Sequence, residues 1–176
     1  MLRGDRVSVR ALQESDLTAL IALQNDVALR GEFLSPVLIN EPLFRKEFQE
    51  TGFLTKSNGM LLVVDLAGNT IGNITYYSVN YLDGFELSAQ IYPVAARGKG
   101  LMTQGLSMVS RYLFDAYKIN RLQGATYPEN AAGNRLMHKC GFTLEGRLRG
   151  IYFHRGISQD LLLYSLLRSE LDKLPA

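Results

Sequence analysis

The stretch Arg97-Gly98-Lys99-Gly100-Leu101-Met102-Thr103-Gln104-Gly105-Leu106 decides how the rest of the chain is read. Upstream, Phe85 to Tyr92 has the apolar and aromatic content of a strand. Downstream, Met102, Leu106, Val109 and Leu113 recur at helical spacing. Arg97 to Gly100 is therefore a loop between a strand and a helix. Its two glycines let the backbone turn tightly and approach a ligand with no β-carbon in the way. The helix behind it points free N–H groups and a positive dipole end at the loop, the physical recipe for a phosphate or pyrophosphate cradle. Arg97 and Lys99 add positive charge. Short glycine loops before helices often only make the turn, so the loop alone leaves both readings open. Two familiar phosphate motifs fail on spacing. A Gly-x-x-x-x-Gly-Lys-[Ser/Thr] loop is excluded because Lys99 is followed by Gly100. A Gly-x-Gly-x-x-Gly fingerprint is excluded because Thr103 stands where its third glycine belongs.

Working outward, Val7 and Val9 alternate with polar residues as a short strand, and Glu14-Ser15-Asp16 opens a helix carrying Leu17, Leu20, Ile21 and Leu23. Pro42 suits the first turn of a second helix, which is expected to turn Leu43, Phe44 and Phe48 inward. Met60 to Val64 reads as a buried strand, joined through Ala67-Gly68-Asn69 to a strand from Ile71 to Val79. Beyond the central loop and helix come a strand from Arg121 to Tyr127 and a helix from Asn130 to Cys140, stopped by Gly141. A strand from Phe142, a turn at His154-Arg155-Gly156 and a final strand from Ile157 to Leu167 complete the chain. The order β-α-α-β-β-β-α-β-α-β-β predicts the α/β class, with a mixed, mostly antiparallel central sheet and helices on both faces.

Composition narrows the function classes. The chain has 176 residues, about one domain's worth, and is read as a single domain over 1–176. It is 47% hydrophobic and 20% charged with a net charge of +2, which excludes a disordered tail and a strongly electrostatic nucleic-acid binder. Cys140 is the only cysteine, so no internal disulfide forms, and with two histidines no dedicated metal site is expected. There is no apolar run of about 18 residues and no signal-peptide pattern, so a soluble cytoplasmic protein without a membrane partner is expected.

A second constellation follows the loop by about 30 residues. Tyr127-Pro128-Glu129-Asn130 ends a strand, and Asn130 to Leu136 opens a helix closed by Cys140-Gly141-Phe142. Asn130 reads by default as an N-cap. Asn134, one turn on, is a poor helix former, which points to a polar contact. Together, Arg97 to Met102, Asn130, and Cys140-Gly141-Phe142 resemble the GNAT superfamily of acyl-CoA-dependent N-acetyltransferases. More narrowly, Arg-Gly-Lys-Gly-Leu-Met, Gly141 to Gly146, and Asp160 before Leu161-Leu162-Leu163-Tyr164 resemble the branch that acetylates ribosomal-protein N-termini. The resemblance covers nearly the whole chain in element order.

The resemblance implies acetyl-CoA as co-substrate and an amine as acceptor, with no metal. It implies a strand ending near Tyr92 that splays from its neighbour. The pantetheine arm would bond to backbone near Gln90, Ile91 and Tyr92. The pyrophosphate would sit on amides of the Arg97, Gly98, Lys99, Gly100, Leu101 and Met102 stretch. Asn130, Asn134 and Met137 would line the coenzyme's other side. Where many members carry a tyrosine general acid, this chain has Met137, which donates no proton, and where the branch often has a serine it has Gly133. The acid for the leaving thiolate is therefore unassigned.

Attack on a thioester needs a neutral amine, so a base is sought. Glu86, at the start of the strand beside the cleft, is the first candidate, its other reading being a surface carboxylate on an edge strand. Histidine is a common acid–base residue, but His138 lies on a predicted helix face and His154 in a predicted turn, and both placements imply solvation. Tyr76, Tyr77, Tyr81 and Tyr152 are candidates for the acceptor pocket or for the core, and Cys140 reads as buried packing. The segment Arg30 to Pro36 is expected to form a loop over the acceptor mouth. The leading expectation is acetyl transfer to a protein N-terminal amine or a small amine, by a monomer or homodimer. An antibiotic- or aminosugar-type acetyltransferase, a coenzyme-A-binding module without catalysis, and ribosome association without chemistry stay open beside it.

Overall fold

The computed structural model describes residues 1–175. Eight strands form one sheet: β1 (Leu2–Arg3), β2 (Val7–Ala11), β3 (Asn58–Asp65), β4 (Thr70–Ser78), β5 (Gly84–Ile91), β6 (Arg121–Thr126), β7 (Thr143–His154) and β8 (Ile157–Leu167). Their spatial order is β1-β2-β3-β4-β5-β6-β8-β7. Every neighbouring pair is antiparallel except β5 and β6, which are parallel. A parallel pair needs a crossover, and α4 (Leu101–Ala116) supplies it. The remaining helices are α1 (Leu17–Asn25), α2 (Val27–Arg30), α3 (Glu41–Thr51) and α5 (Ala131–Lys139). The two-residue β1 and the one-turn α2 carry too little periodicity to be read from sequence.

The two faces of the sheet bury separate cores. On one, Met102, Leu106, Val109 and Leu113 of α4 and Met137 of α5 meet Val63, Ile74, Leu87, Leu122 and Tyr164. On the other, Leu17, Leu20 and Ile21 of α1 and Phe44 of α3 meet Leu62, Val64 and Tyr92. Asn40 caps α3 through its side chain, accepting from the Leu43 amide at 3.1 Å, and Gly52 ends it in the left-handed conformation. Phe44 and Phe48, four residues apart, face the core, but Leu43 is 63% exposed, contrary to expectation. It lies about 100° around the helix from Phe44, off the inward stripe.

α5 packs closely over Gly124, where a β-carbon would meet the Met137 methyl. Cys140 lies in the core as predicted, its thiol pushed up to about 11 by burial. Among the described residues no helix is long and apolar enough to cross a membrane.

Candidate active site

The site is a defect in the sheet. β5 and β6 pair only at Gly84–Arg121, Phe85–Leu122 and Glu86–Gln123, although β5 runs on to Ile91 and β6 to Thr126. Past Glu86 the two strands part. The close pairing at the base depends on Gly84, where a β-carbon would overlap the Arg121 carbonyl oxygen.

Strand alternation shows which backbone groups face the opening. The Tyr92 amide donates to the Ile71 carbonyl at 3.0 Å, so Tyr92–Ile71 is a hydrogen-bonded pair of the β4–β5 ladder. In an antiparallel ladder such pairs alternate. With the observed register, Gln90–Asn73 and Ser88–Thr75 are also hydrogen-bonded pairs. The backbone groups of Leu87, Ala89 and Ile91 therefore point away from β4, into the gap. Of the three residues expected to offer backbone there, only Ile91 does so. Gln90 and Tyr92 spend their groups on β4, and Ala89 takes their place. On the far side, the Arg168 amide donates to the Asn120 carbonyl at 2.9 Å, which in the β6–β8 register turns Ala125 toward the same gap.

A cavity of about 160 Å³ fills the opening. Its walls are mostly apolar, and Leu87, Ala89, Leu106, Leu136 and Met137 form much of them. Ser88, Thr126 and Asn130 are the polar residues on the wall, and Phe33, Leu34 and Tyr127 close one side. Phe33 packs on Tyr127 with ring centroids 5.7 Å apart, and Tyr127 packs on Tyr152 and His154 at 6.3 and 5.4 Å.

Beyond the end of β5 the loop turns at Gly98 (φ 73°) and Gly100 (φ 75°), both left-handed, so these glycines are required by the backbone and not merely tolerated. The Gly100 carbonyl accepts from the Gln104 amide at 3.3 Å, while the amides of α4's first turn have no intrahelical partner. Lys99 is exposed, and the Met102 side chain is buried in the core, leaving only its amide to the loop. A feature absent from the sequence reading is Arg6, in the turn between β1 and β2, which donates to the Lys99 carbonyl at 2.7 Å. The Gln104 side chain accepts from the Arg6 and Val7 amides at 3.0 and 3.1 Å, tying that turn to α4.

The predicted polar residues divide. Asn130 lines the cavity and also caps α5, its Oδ1 accepting from the Gly133 amide at 2.9 Å. Asn134 is not on the cavity wall. Its Nδ2 donates to the Tyr127 and Pro128 carbonyls (3.3 and 3.0 Å), and its Oδ1 accepts from Thr126 and from Tyr164 (3.1 Å). An amide side chain has two donors and two acceptor sites, so Asn134 is fully spent holding α5 to the end of β6. Arg97 also departs from expectation. Its guanidinium donates to the Leu29 carbonyl at 2.6 Å and lies 3.5 Å from the Ile91 and Tyr92 carbonyls.

Glu86 sits on an interior strand, not an edge. Its Oε1 accepts from the Tyr77 hydroxyl at 2.6 Å and its Oε2 from Gln123 Nε2 at 2.9 Å. It projects on the same face as Ser88, one strand repeat short of the cavity wall. Burial and the adjacent Glu86 carboxylate hold the Tyr77 hydroxyl well above its ordinary range. Tyr76 is core, packed on Phe85, whereas Tyr81 is 82% exposed.

His154 overturns the expectation of a solvated turn residue. It is the last residue of β7 and only 7% exposed, with Nε2 2.7 Å from the Glu32 carbonyl oxygen. The turn is made by Arg155 and Gly156 instead, both at positive φ. His138 is exposed on α5 as expected. Phe33 and Leu34, on the wall, lie in the Arg30 to Pro36 segment expected to form a loop over the acceptor mouth, whereas Ser88 and Tyr127 were not singled out as wall residues. No cluster of three or more His, Cys, Asp or Glu side chains suited to a metal occurs among the described residues.

Comparison with known proteins agrees with this geometry. The family described as "Acetyltransferase (GNAT) domain" matches residues 6–143. An uncharacterized N-acetyltransferase of Bacillus subtilis, YokL, is 26% identical over 96% of this chain and 94% of its own length. YdaF of the same organism, which carries the name of a ribosomal N-acetyltransferase, is 30% identical over 95% of this chain and 94% of its own. Among solved structures, spermidine N-acetyltransferase from Vibrio cholerae in complex with CoA and spermine superposes with a TM-score of 0.79 at 23% identity, covering 96% of this chain and 99% of that one. With its parted parallel strands, glycine loop and family match, the chain belongs to the GNAT acetyltransferase family and is an acetyl-CoA-dependent N-acetyltransferase.

Proposed function

We propose that the chain acetylates a primary amine carried on a slender, flexible arm, either a small-molecule amine or an extended peptide N-terminus. The observation that carries this reading is that Phe33, Leu34 and Tyr127 close one side of the opening at the parting of β5 and β6, so the acceptor must approach the coenzyme slot past a mostly apolar wall. Acetyl-CoA supplies the activated acyl group. Its pantetheine amides complement the half-buried, gap-facing groups of Ala89 and Ile91, which have no strand partner on that side. Its pyrophosphate matches the amides of Gly98 to Met102 at the positive end of α4.

The chain's own contribution is positioning and charge stabilisation. An N–H of Ala89 or Ile91 is placed to stabilise the oxyanion that develops on the thioester carbonyl. As the new C–N bond forms and the C–S bond breaks, the amine must lose a proton and the thiolate must gain one. Glu86, oriented by Tyr77 and Gln123, takes the first proton through water along the Ser88 face. Met137 stands on the wall where it can donate none, so solvent delivers the second.

The identity to YdaF favours a second reading, in which the amine is the N-terminus of a ribosomal protein. Calorimetry with acetyl-CoA, followed by thiol release in the presence of spermidine and of alanyl and seryl peptides, tests both. Turnover with spermidine and not with peptides selects the small amine, and the reverse selects the N-terminus. Absence of acetyl-CoA binding would sink the assignment of the gap and the loop.

A further inference from the structure

Residues 31–39 have no helix or strand, yet Phe33 and Leu34 within them close the cavity. The segment is half-buried to exposed, and side chains bond several of the carbonyls in and beside it. The Leu29 carbonyl accepts from Arg97 at 2.6 Å, the Gly31 carbonyl from Arg155 at 2.9 Å and the Glu32 carbonyl from His154 Nε2 at 2.7 Å. A carbonyl only accepts, so Nε2 of His154 carries the proton. Arg30 reaches forward to the Ser35 carbonyl and, at 2.9 Å, to that of Val37. The N-terminal end of this strap is thus tied twice, to the loop that begins with Arg97 through Leu29 and to the β7–β8 hairpin tip through Gly31 and Glu32, while Arg30 and Asn25 hold its far end.

Resting on the acetyl-transfer reading above, we infer that Arg97 is a positioning residue for the acceptor side of the reaction, its guanidinium holding the strap over the amine pocket while only the backbone of its loop serves the coenzyme. A cation beside a phosphate loop would ordinarily be assigned to the phosphates. Here its donor is committed to a backbone carbonyl 68 residues away in sequence. Such charge-assisted bonds to carbonyls are directional and hold their acceptor in place. The loop and the strap therefore share one side chain, and whatever orders the loop also orders the roof.

The test is the full-length Arg97→Ala variant, compared with wild type in three measurements. These are the Kd for coenzyme A by calorimetry, hydrogen exchange over residues 29–39, and the amine KM with spermidine or an alanyl peptide, whichever the wild type acetylates. The strap amides to watch are Gly31, Val37 and Ile39, bonded at 3.4, 3.3 and 2.7 Å. Expected are a coenzyme Kd within threefold of wild type, exchange in the strap at least tenfold faster, and an amine KM raised about tenfold with kcat changed less than threefold. A coenzyme Kd weakened more than threefold, or strap exchange left at the wild-type rate, overturns the inference. If neither probe is turned over, Kd and exchange alone decide it. A wild-type chain that fails to bind coenzyme A refutes the earlier assignment instead, so the two failures are told apart.

Discussion

The first three residues of β5 and the rest of that strand make opposite use of the same backbone. Phe85 and Glu86 pair with strands on both sides, as in any sheet interior, and Gly84 pairs with β6. From Leu87 to Ile91 the strand keeps β4 and gives up β6, so every second residue lacks a strand partner on the cavity side. The paired part contributes stability. The parted part contributes a ligand-shaped need, because buried peptide groups lacking partners are costly until something polar lies beside them. A binding slot here is made by subtracting hydrogen bonds from a sheet, and the subtraction holds its shape only because the paired base is rigid.

That contrast can be broken most directly at its base. Gly84→Ala places a β-carbon against the Arg121 carbonyl oxygen, and neither backbone can yield without losing the pairing. Urea unfolding should show a loss of about 3 kcal/mol, at the upper end for overpacking. A loss under about 1 kcal/mol would mean that the base is not the clamp. At the last paired position, Glu86→Gln keeps a side chain of the same shape between Tyr77 and Gln123 but removes the proposed base. The kcat should fall about 100-fold with the thermal midpoint little changed. A drop that vanishes at high pH, where the amine is already neutral, would support deprotonation as the step affected.

Asn134→Ala sharpens the comparison from the α5 side. It leaves the Tyr127 and Pro128 carbonyls without their donor, a cost of about 2 kcal/mol for stranded buried groups. Coenzyme affinity should move less than threefold once the protein is folded, whereas a direct ligand contact would lose more. The smallest effect is expected far from the gap, at Asp16. Its carboxylate accepts from Arg10 at 2.6 and 2.8 Å and from the Gln13 amide at 2.7 Å. These bonds hold it below the ordinary carboxylate range. A carboxylate lowered on folding contributes stability above its unfolded pKa and loses it as pH falls through the folded one. Asp16→Asn should therefore cost about 1 kcal/mol at pH 7 and flatten the acid side of the urea midpoint against pH.

What sequence could reveal follows the range of the forces involved. The loop from Arg97 to Met102 was legible because glycine conformation and helix periodicity are local, as was the α3 start at Asn40 and Pro42. The splay itself was reached through family resemblance, and no local pattern marks where β5 leaves β6. Asn134 and Arg97 were placed on the right elements, but their side chains meet protein groups that the sequence does not announce, and His154, read as a turn residue, ends β7 instead. Asn134 turns inward to the strand end. Arg97 and His154 meet carbonyls 68 and 122 residues away, and nothing within a window of either residue encodes that choice. Leu43 was misjudged for a simpler reason: three apolar residues in one helix were all sent inward, although one helix face has room for two of them.

The burial of Cys140 has a practical and a chemical side. A transferase of this kind lives beside thioesters and releases a free thiol at every turnover. The chain's sole sulfhydryl is sealed from solvent, its Sγ within 3.7 Å of the Ser107 hydroxyl and 3.5 Å of the Thr103 carbonyl. Held mostly protonated at neutral pH, it is a poor competitor for the acyl group and a poor target for disulfide exchange with the product. A colorimetric thiol reagent added to the working enzyme should therefore count coenzyme molecules and leave the protein uncounted.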